Sequence, residues 1–380
     1  MTSNHELPDW DGPLYEAELG LIERAASGEL LDLERGPAPT DDQPVIELKT
    51  MQAWGADRMI RVEVLRHLLV ESQWPVHAKG VRLRGARITG VFDLESATLR
   101  CPLVLEDCYF DSVQPLVFDY ATVSLLRLVR CRFAGLSANL LTVTKEMNLR
   151  STVTGAVVLV DAKITGSLDL SGAALTSDAS PALYADRLQV DGDLRLIDFE
   201  ATGSGNGAPV QLIGAHISGA LIAQDAVLTN NTGPGLFADR LQVDGSLLLR
   251  RFEATGGGSG EAAVRLVAAH IGGQINLSGA ILTNNTGPAL LADNLQVDGS
   301  LFFGDLDDNT FTATGSGDLG AVRLVGVRIG AGMRLNAVGI RNSSEEPGKL
   351  DLDGLVYAGL PRHPQPNEWL DILRQRTISL

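Results

Sequence analysis

Aromatic side chains are scarce in this chain: Phe, Trp and Tyr together make up 5% of its 380 residues. Globular enzyme cores usually use more of them, whereas a narrow interior is filled by Leu, Ile, Val and Ala. Cysteine is scarcer still. Three residues are too few for a disulfide framework, and a reducing, cytoplasmic compartment is the simplest fit. Positive charge is also short. With 31 Lys and Arg against 47 Asp and Glu, the net charge of −16 argues against direct binding to nucleic acid or to an anionic membrane. It is compatible with a basic partner, or simply with solubility. No stretch approaches the ~18 uninterrupted apolar residues of a membrane span. The opening MTSNHELPDWDG is polar and acidic, unlike a signal peptide. There is no Ser-His-Asp, HExxH or P-loop arrangement, no GxGxxG opening a helix after a strand, and no CxxC. The sequence therefore assigns no catalytic, cofactor-binding or metal-binding residue.

What the chain has is glycine, 41 residues of it, and repetition. ADRLQVDG stands at 185–192 and again at 238–245, and ADNLQVDG at 292–299, spaced by 53 and then 54 residues. Between them lie GAHISG at 214–219 and AAHIGG at 268–273. All share a finer unit of eleven: small or apolar, x, apolar, x, Gly, x, apolar, x, apolar, x, x. ARITGVFDLES (86–96) and ATLRCPLVLED (97–107) follow one another without a gap, and STVTGAVVLVD and AKITGSLDLSG carry the pattern to Gly172. Roughly twenty units fit between Gly80 and Leu355.

Apolar residues at positions 1, 3, 7 and 9 have period two within each half-unit, the signature of a strand. Glycine at position 5 reads as a corner that exploits its conformational freedom. A unit this short cannot bury its own apolar face, so units must stack. The expected fold is an all-β parallel β-helix (a solenoid) with an eleven-residue half-coil repeat. Two units, about 22 residues, close one coil, and about ten coils at ~4.8 Å give a rod of roughly 50 Å. Residues 14–33 and 57–72 show helical apolar spacing and predict a helical N-terminal cap over 1–75. The solenoid is expected over 76–360. A C-terminal helix or cap is expected over 361–380, from NEWLDILRQR (367–376) after the breaker run PRHPQP. PAPTDDQP (37–44) reads as a loop.

From Thr176 onward the units acquire insertions: 177–181, 203–209, 230–234, 256–262, 284–288 and 315–320. Each falls in every second unit. With two units per coil, all six must leave the rod on one side, and insertions in repeat proteins commonly build one functional face. The candidate binding face is Gly203, Asn206, Asn230, Asn231, Thr232, Gly256, Asn284, Asn285, Thr286 and Gly315. The alternate units carry a polar ladder of Thr142, Lys163, Gln189, His216, Gln242, His270, Gln296 and Arg328, with Asp191, Asp244 and Asp298 two residues further on. His216 and His270 lie two coils apart, ~10 Å, which is too far to share a zinc ion. The three Asp residues are likewise too far apart to share calcium. Cys108 and Cys131 both occupy position 1 and should stack as inward-facing thiols. Asn230 and Asn284 open glycosylation sequons, matches that are accidental in a chain without a signal peptide.

The stretch IRVEVLRHLLVESQWPVHAKGVRLRGARITGVFDLESATLRCPLVLEDCYF (60–110), with LDGLVYAGLP and WLDILRQR further on, resembles a group of actinobacterial β-solenoid proteins often labelled membrane-associated oxidoreductases. The resemblance implies a solenoid fold and, through the label, redox chemistry near a membrane. More distantly, the units resemble pentapeptide-repeat proteins, whose coils are four-sided. Four functions compete. A non-catalytic scaffold showing its loop face to a protein partner fits best, with end-to-end or side-by-side self-association left open. A carbohydrate-active β-helix enzyme would cluster its acidic residues, which here recur evenly. An oxidoreductase would carry a coloured cofactor. A DNA mimic needs a continuous acidic face, and this one is interrupted by His216, His270 and Arg328.

Overall fold

Alternating half-units become very short strands, and the strands find their partners in neighbouring coils rather than in their own. A computed structural model of the chain describes residues 12–34, 46–71, 73–178, 181–258, 261–304, 310–317, 319–335, 339–342 and 350–358. Among these the protein is a parallel β-solenoid of about eleven turns. The path of one turn shows the plan. Leu126–Val129 lies in the first sheet, Arg132–Phe133 in the second, Leu136–Ser137 in the third and Thr142–Val143 in the fourth; Met147–Asn148 then returns to the first. The first two sheets have 12 strands each and the other two have 10 each among the described residues. All ladders between consecutive coils are parallel and in register. Leu126 pairs with Met147 and Met147 with Leu168, a step of 21 residues per coil. From Leu168 to Leu194 the step becomes 26, because the inserted loops have begun.

Stacking buries one continuous core. Leu83, Leu94, Leu105, Leu128, Leu149, Leu159, Leu170, Leu196, Leu249, Leu277 and Leu335, all expected inside, are at most 3% exposed. Cys108 and Cys131 are buried, free and adjacent, since Arg132 pairs with Tyr109. Burial pushes the Cys131 thiol well above its ordinary value, and the neighbouring Cys108 adds to that shift.

The corners differ from expectation. Position-5 glycines such as Gly155, Gly166, Gly219 and Gly245 do not have the left-handed conformation. They are needed for closeness. A Cβ at Gly155 would lie 2.1 Å from the Ala134 carbonyl oxygen of the preceding coil, one at Gly166 2.2 Å from that of Lys145, and one at Gly219 2.6 Å from that of Gly192. Gly80, Gly90 and the glycines of the inserted loops apart, left-handed residues in the coils occur at the other two corners, and most are not glycine. Between the first and second sheets they include Asp107, Arg130, Asp198, Asp225 and Arg251; between the third and fourth, Tyr120, Leu140, Asp161, Arg187, Arg240 and Asn294. Asp and Asn tolerate this region better than most residues. Opposite charges stack there from coil to coil: Arg130 on Asp107 (2.7 Å), Arg187 on Asp161 (2.6 Å) and Arg251 on Asp225 (2.5 Å).

At the N-terminus helices and strands interleave. Helix α1 (Glu16–Ser27) is shorter than its apolar spacing predicts, because Gly28 turns left-handed and its N–H caps the Arg24 carbonyl. Strand β1 (Leu31–Asp32) then opens the first sheet against Leu83 and Arg84. After a short helix α2 (Leu48–Gln52) comes strand β2 (Met59–Arg61), which opens the second sheet against Arg87–Thr89, and only then helix α3 (Val62–Val70). Ile60, expected on a helix, is a buried strand residue because the second sheet's edge offers it a ladder. Thus the sheets begin inside the segment assigned to the helical cap. α1 and α3 pack on β2 and Val81–Arg84 and contribute Leu21, Ala25, Leu65, Leu68 and Leu69 to the core. The loop expected at 37–44 and the C-terminal helix expected at 367–376 lie outside the described residues.

Candidate functional site: the loop corner

Each insertion leaves the end of a second-sheet strand and re-enters at the start of a third-sheet strand. The strands before them are Ala174–Ser177, Glu200–Gly203, Val227–Thr229, Glu253–Gly256, Ile281–Asn284 and Thr312–Gly315, which are consecutive in the second sheet. All six loops therefore stand at one corner, one per coil on successive coils. From Gly203 onward glycine-rich and NNTGP types alternate along the axis; the first loop, SDASP, is neither.

The loops are stacked on each other rather than hanging in solvent. The column at their base reads Ser177, Gly203, Asn230, Gly256, Asn284, Gly315 and Asn342, coil after coil. Asn230 and Asn284 are fully buried. The Asn230 amide nitrogen donates to the carbonyl oxygens of Gly207 (2.6 Å), Gly205 (3.3 Å) and Pro234 (3.3 Å). Its Oδ1 accepts from the Thr232 backbone N–H (3.0 Å) and hydroxyl (3.1 Å). Asn284 repeats this two coils on, donating to the Glu261 carbonyl (2.7 Å) and accepting from Thr286 N–H (3.0 Å). Asn342 donates to Gly317 O (3.4 Å). So each asparagine reaches back into the glycine-rich loop of the preceding coil. Its neighbours in the column are glycines because each loop returns close over its own base: a Cβ at Gly256 would lie 2.7 Å from Ala263 Cα, and one at Gly315 2.6 Å from Ala321 Cα. Above the base, neighbouring loops approach backbone to backbone, and a Cβ at Gly257 would lie 2.1 Å from Asn231 O.

This corrects part of the candidate face. Gly203, Asn230, Gly256, Asn284 and Gly315 are buried at the loop bases, where they build the loops. Asn206, Asn231, Thr232, Asn285 and Thr286 are exposed at the tips. Of these, the Thr232 hydroxyl is engaged at the loop base: it accepts from the Gly205 N–H (2.9 Å) and shares its one proton between the Gly205 carbonyl (2.9 Å) and Asn230 Oδ1 (3.1 Å). The buried amides also leave no room for a sugar on either sequon in the folded chain.

The polar ladder lies on the fourth sheet in unbroken register from Thr142 to Arg328. His216 Nε2 sits 3.0 Å from an Asp244 carboxylate oxygen, and His270 Nε2 is 3.1 Å from Asp298. Both histidines and both aspartates are well exposed. Each pair is self-contained, and no group of three or more His, Cys, Asp or Glu side chains able to hold a metal is present among the described residues.

The sequence reading missed one column altogether. Thr176, Thr202, Thr229, Thr255, Thr283 and Thr314 pair in unbroken register on the outer face of the second sheet, immediately before the loops. The signal was readable: the strands ALTS, EATG, VLT, EATG, ILTN and TATG all place Thr at the third position. No protein-family model, curated protein or solved structure matches this chain. Among the described residues, no helix is long and apolar enough to cross a membrane.

Proposed function

We propose that this chain is a non-catalytic solenoid scaffold that binds a protein partner along its loop-bearing corner. The observation that carries this reading is the placement of six loops on six successive coils at one corner. They form a ridge that repeats at ~4.8 Å along the axis. A periodic ridge suits an extended partner better than a small substrate. The buried free thiols of Cys101, Cys108 and Cys131 fit a reducing cytoplasmic setting. The redox and membrane roles implied by the resemblance have no supporting observation in the loop corner or the fourth-sheet ladder.

The test must spare Asn230 and Asn284, which hold the loops together. Asn206→Arg, Asn231→Arg and Asn285→Arg combined load the tips with bulk and charge and leave every hydrogen bond described above in place. Partner capture from the native cytoplasm should fall, with the melting temperature unchanged. Retention of every partner by the triple variant would reduce the ridge to a structural device.

A further inference from the structure

We propose that the outer face of the second sheet, beside the loop ridge, is a docking track for a basic segment in the polyproline II conformation. The inference rests on the loop corner being the binding side and names the partner's chemistry. Besides the threonine column, this face carries a second outward column two residues earlier on each strand: Glu200, Val227, Glu253 and Ile281 on four successive coils. Acid and apolar residues alternate. Val227 and Ile281 are among the exposed large apolar side chains, at 37% and 43%. Glu200 and Glu253 are exposed, and neither carboxylate has an ion-pair or hydrogen-bond partner among the described residues. The exposed tips Asn231 and Asn285 belong to the Val227 and Ile281 coils, so three features share one period of two coils.

That period selects a backbone. Two coils span ~9.6 Å. A polyproline II helix has three residues per turn at ~3.1 Å, a repeat of ~9.3 Å, so it drifts by well under ~1 Å over two repeats. A β-strand returns a side chain to the same face every ~6.7 Å and loses phase within one repeat. In the polyproline II register, every third residue would face a glutamate, and the residues between would lie over Val227 and Ile281. This helix has no internal hydrogen bonds, so its carbonyl groups need donors. The threonine column supplies one hydroxyl per coil, and none of the six hydroxyls has a partner among the described residues. The net charge of −16 draws a cationic segment toward the rod.

The test uses the full chain and two nine-residue peptides of identical composition, titrated by fluorescence anisotropy at low salt. One is Lys-Pro-Pro repeated three times; the other has its three lysines contiguous. Both adopt polyproline II, and only the first places lysine once per turn. The periodic peptide should bind about tenfold more tightly, the worth of two surface ion pairs held in phase. Glu200→Gln combined with Glu253→Gln should abolish that preference at an unchanged melting temperature. Equal binding of the two peptides would overturn the proposal in favour of charge alone. No binding of either would also overturn it, as would a preference that survives the double substitution. Partner capture that still depends on the loop tips would then leave the scaffold reading standing without this track.

Discussion

At the residue scale, the asparagines of NNTGP show how a polar turn sequence conceals a buried role. Asn230 looks like a solvent-facing loop residue because its hydrogen-bond partners, Gly205 and Gly207, belong to the previous coil and lie more than twenty positions away. Asn230→Ala should lower stability by about 1–3 kcal/mol, since it empties a fully buried site and removes the donor to the Gly207 and Pro234 carbonyls. Asn231→Ala, one residue on at the exposed tip, should change it by no more than about 0.5 kcal/mol. Equal denaturation midpoints for the two would refute the difference in role. The glycines invert a similar expectation. Gly155→Ala should cost about 1–3 kcal/mol by overpacking against the Ala134 carbonyl. Arg240→Gly, at a genuinely left-handed corner, should stay within about 0.5 kcal/mol, as relief of strain offsets added freedom in the unfolded chain. The eleven leucines were legible because inward direction follows from period two alone. Which glycine avoids a clash and which turns the chain depends on the coil above and below, and a single unit does not contain that information.

Among the elements, the corner position of the loops was legible, because counting insertions in every second unit is a geometric argument once two units make a coil. The interleaving of β1 and β2 with the helices was not, since neither strand has a repeat unit around it. A buried ion pair helps to fasten the cap. Glu18 is fully buried and accepts from Arg61 through its backbone N–H (2.9 Å), Nε (2.9 Å) and Nη2 (2.7 Å). Burial pushes the Glu18 carboxyl up, but the hydrogen bonds from Arg61 and Tyr15 outweigh it and hold the group below its ordinary value. A depressed native value means that the contribution is fully present above the ordinary glutamate range and is lost as pH falls through the lowered value. Acid titration of stability should therefore be steeper for the native chain than for Glu18→Gln, whose midpoint at neutral pH should already be reduced. Parallel curves on the acid side would show that the pair does not couple the cap to pH.

For the whole molecule, stability is expected to be nearly a sum over neighbouring coils, as in other stacked repeats. Leu249→Ala, in the middle of the rod and fully buried, should cost about 2–5 kcal/mol. An unchanged denaturation midpoint would remove Leu249 from the core. The alternation of asparagine and glycine at the loop bases has a further consequence for the rod's length. Because each asparagine needs a glycine-rich loop behind it, one coil is not a self-consistent building block; a pair of coils is. Excising residues 238–291 joins Phe237 to Ala292, leaves Asn230 in its own loop, and sets the next glycine-rich loop over it. Excising 238–265 instead sets the Asn284 loop directly against the Asn230 loop, with two side chains competing for the space of one. The first deletion should give a folded rod shorter by ~9.6 Å in small-angle scattering, and the second an aggregating or molten product. The loop-bearing part of the rod would then be a ruler graduated in double coils, able to lengthen or shorten by whole graduations and by nothing smaller.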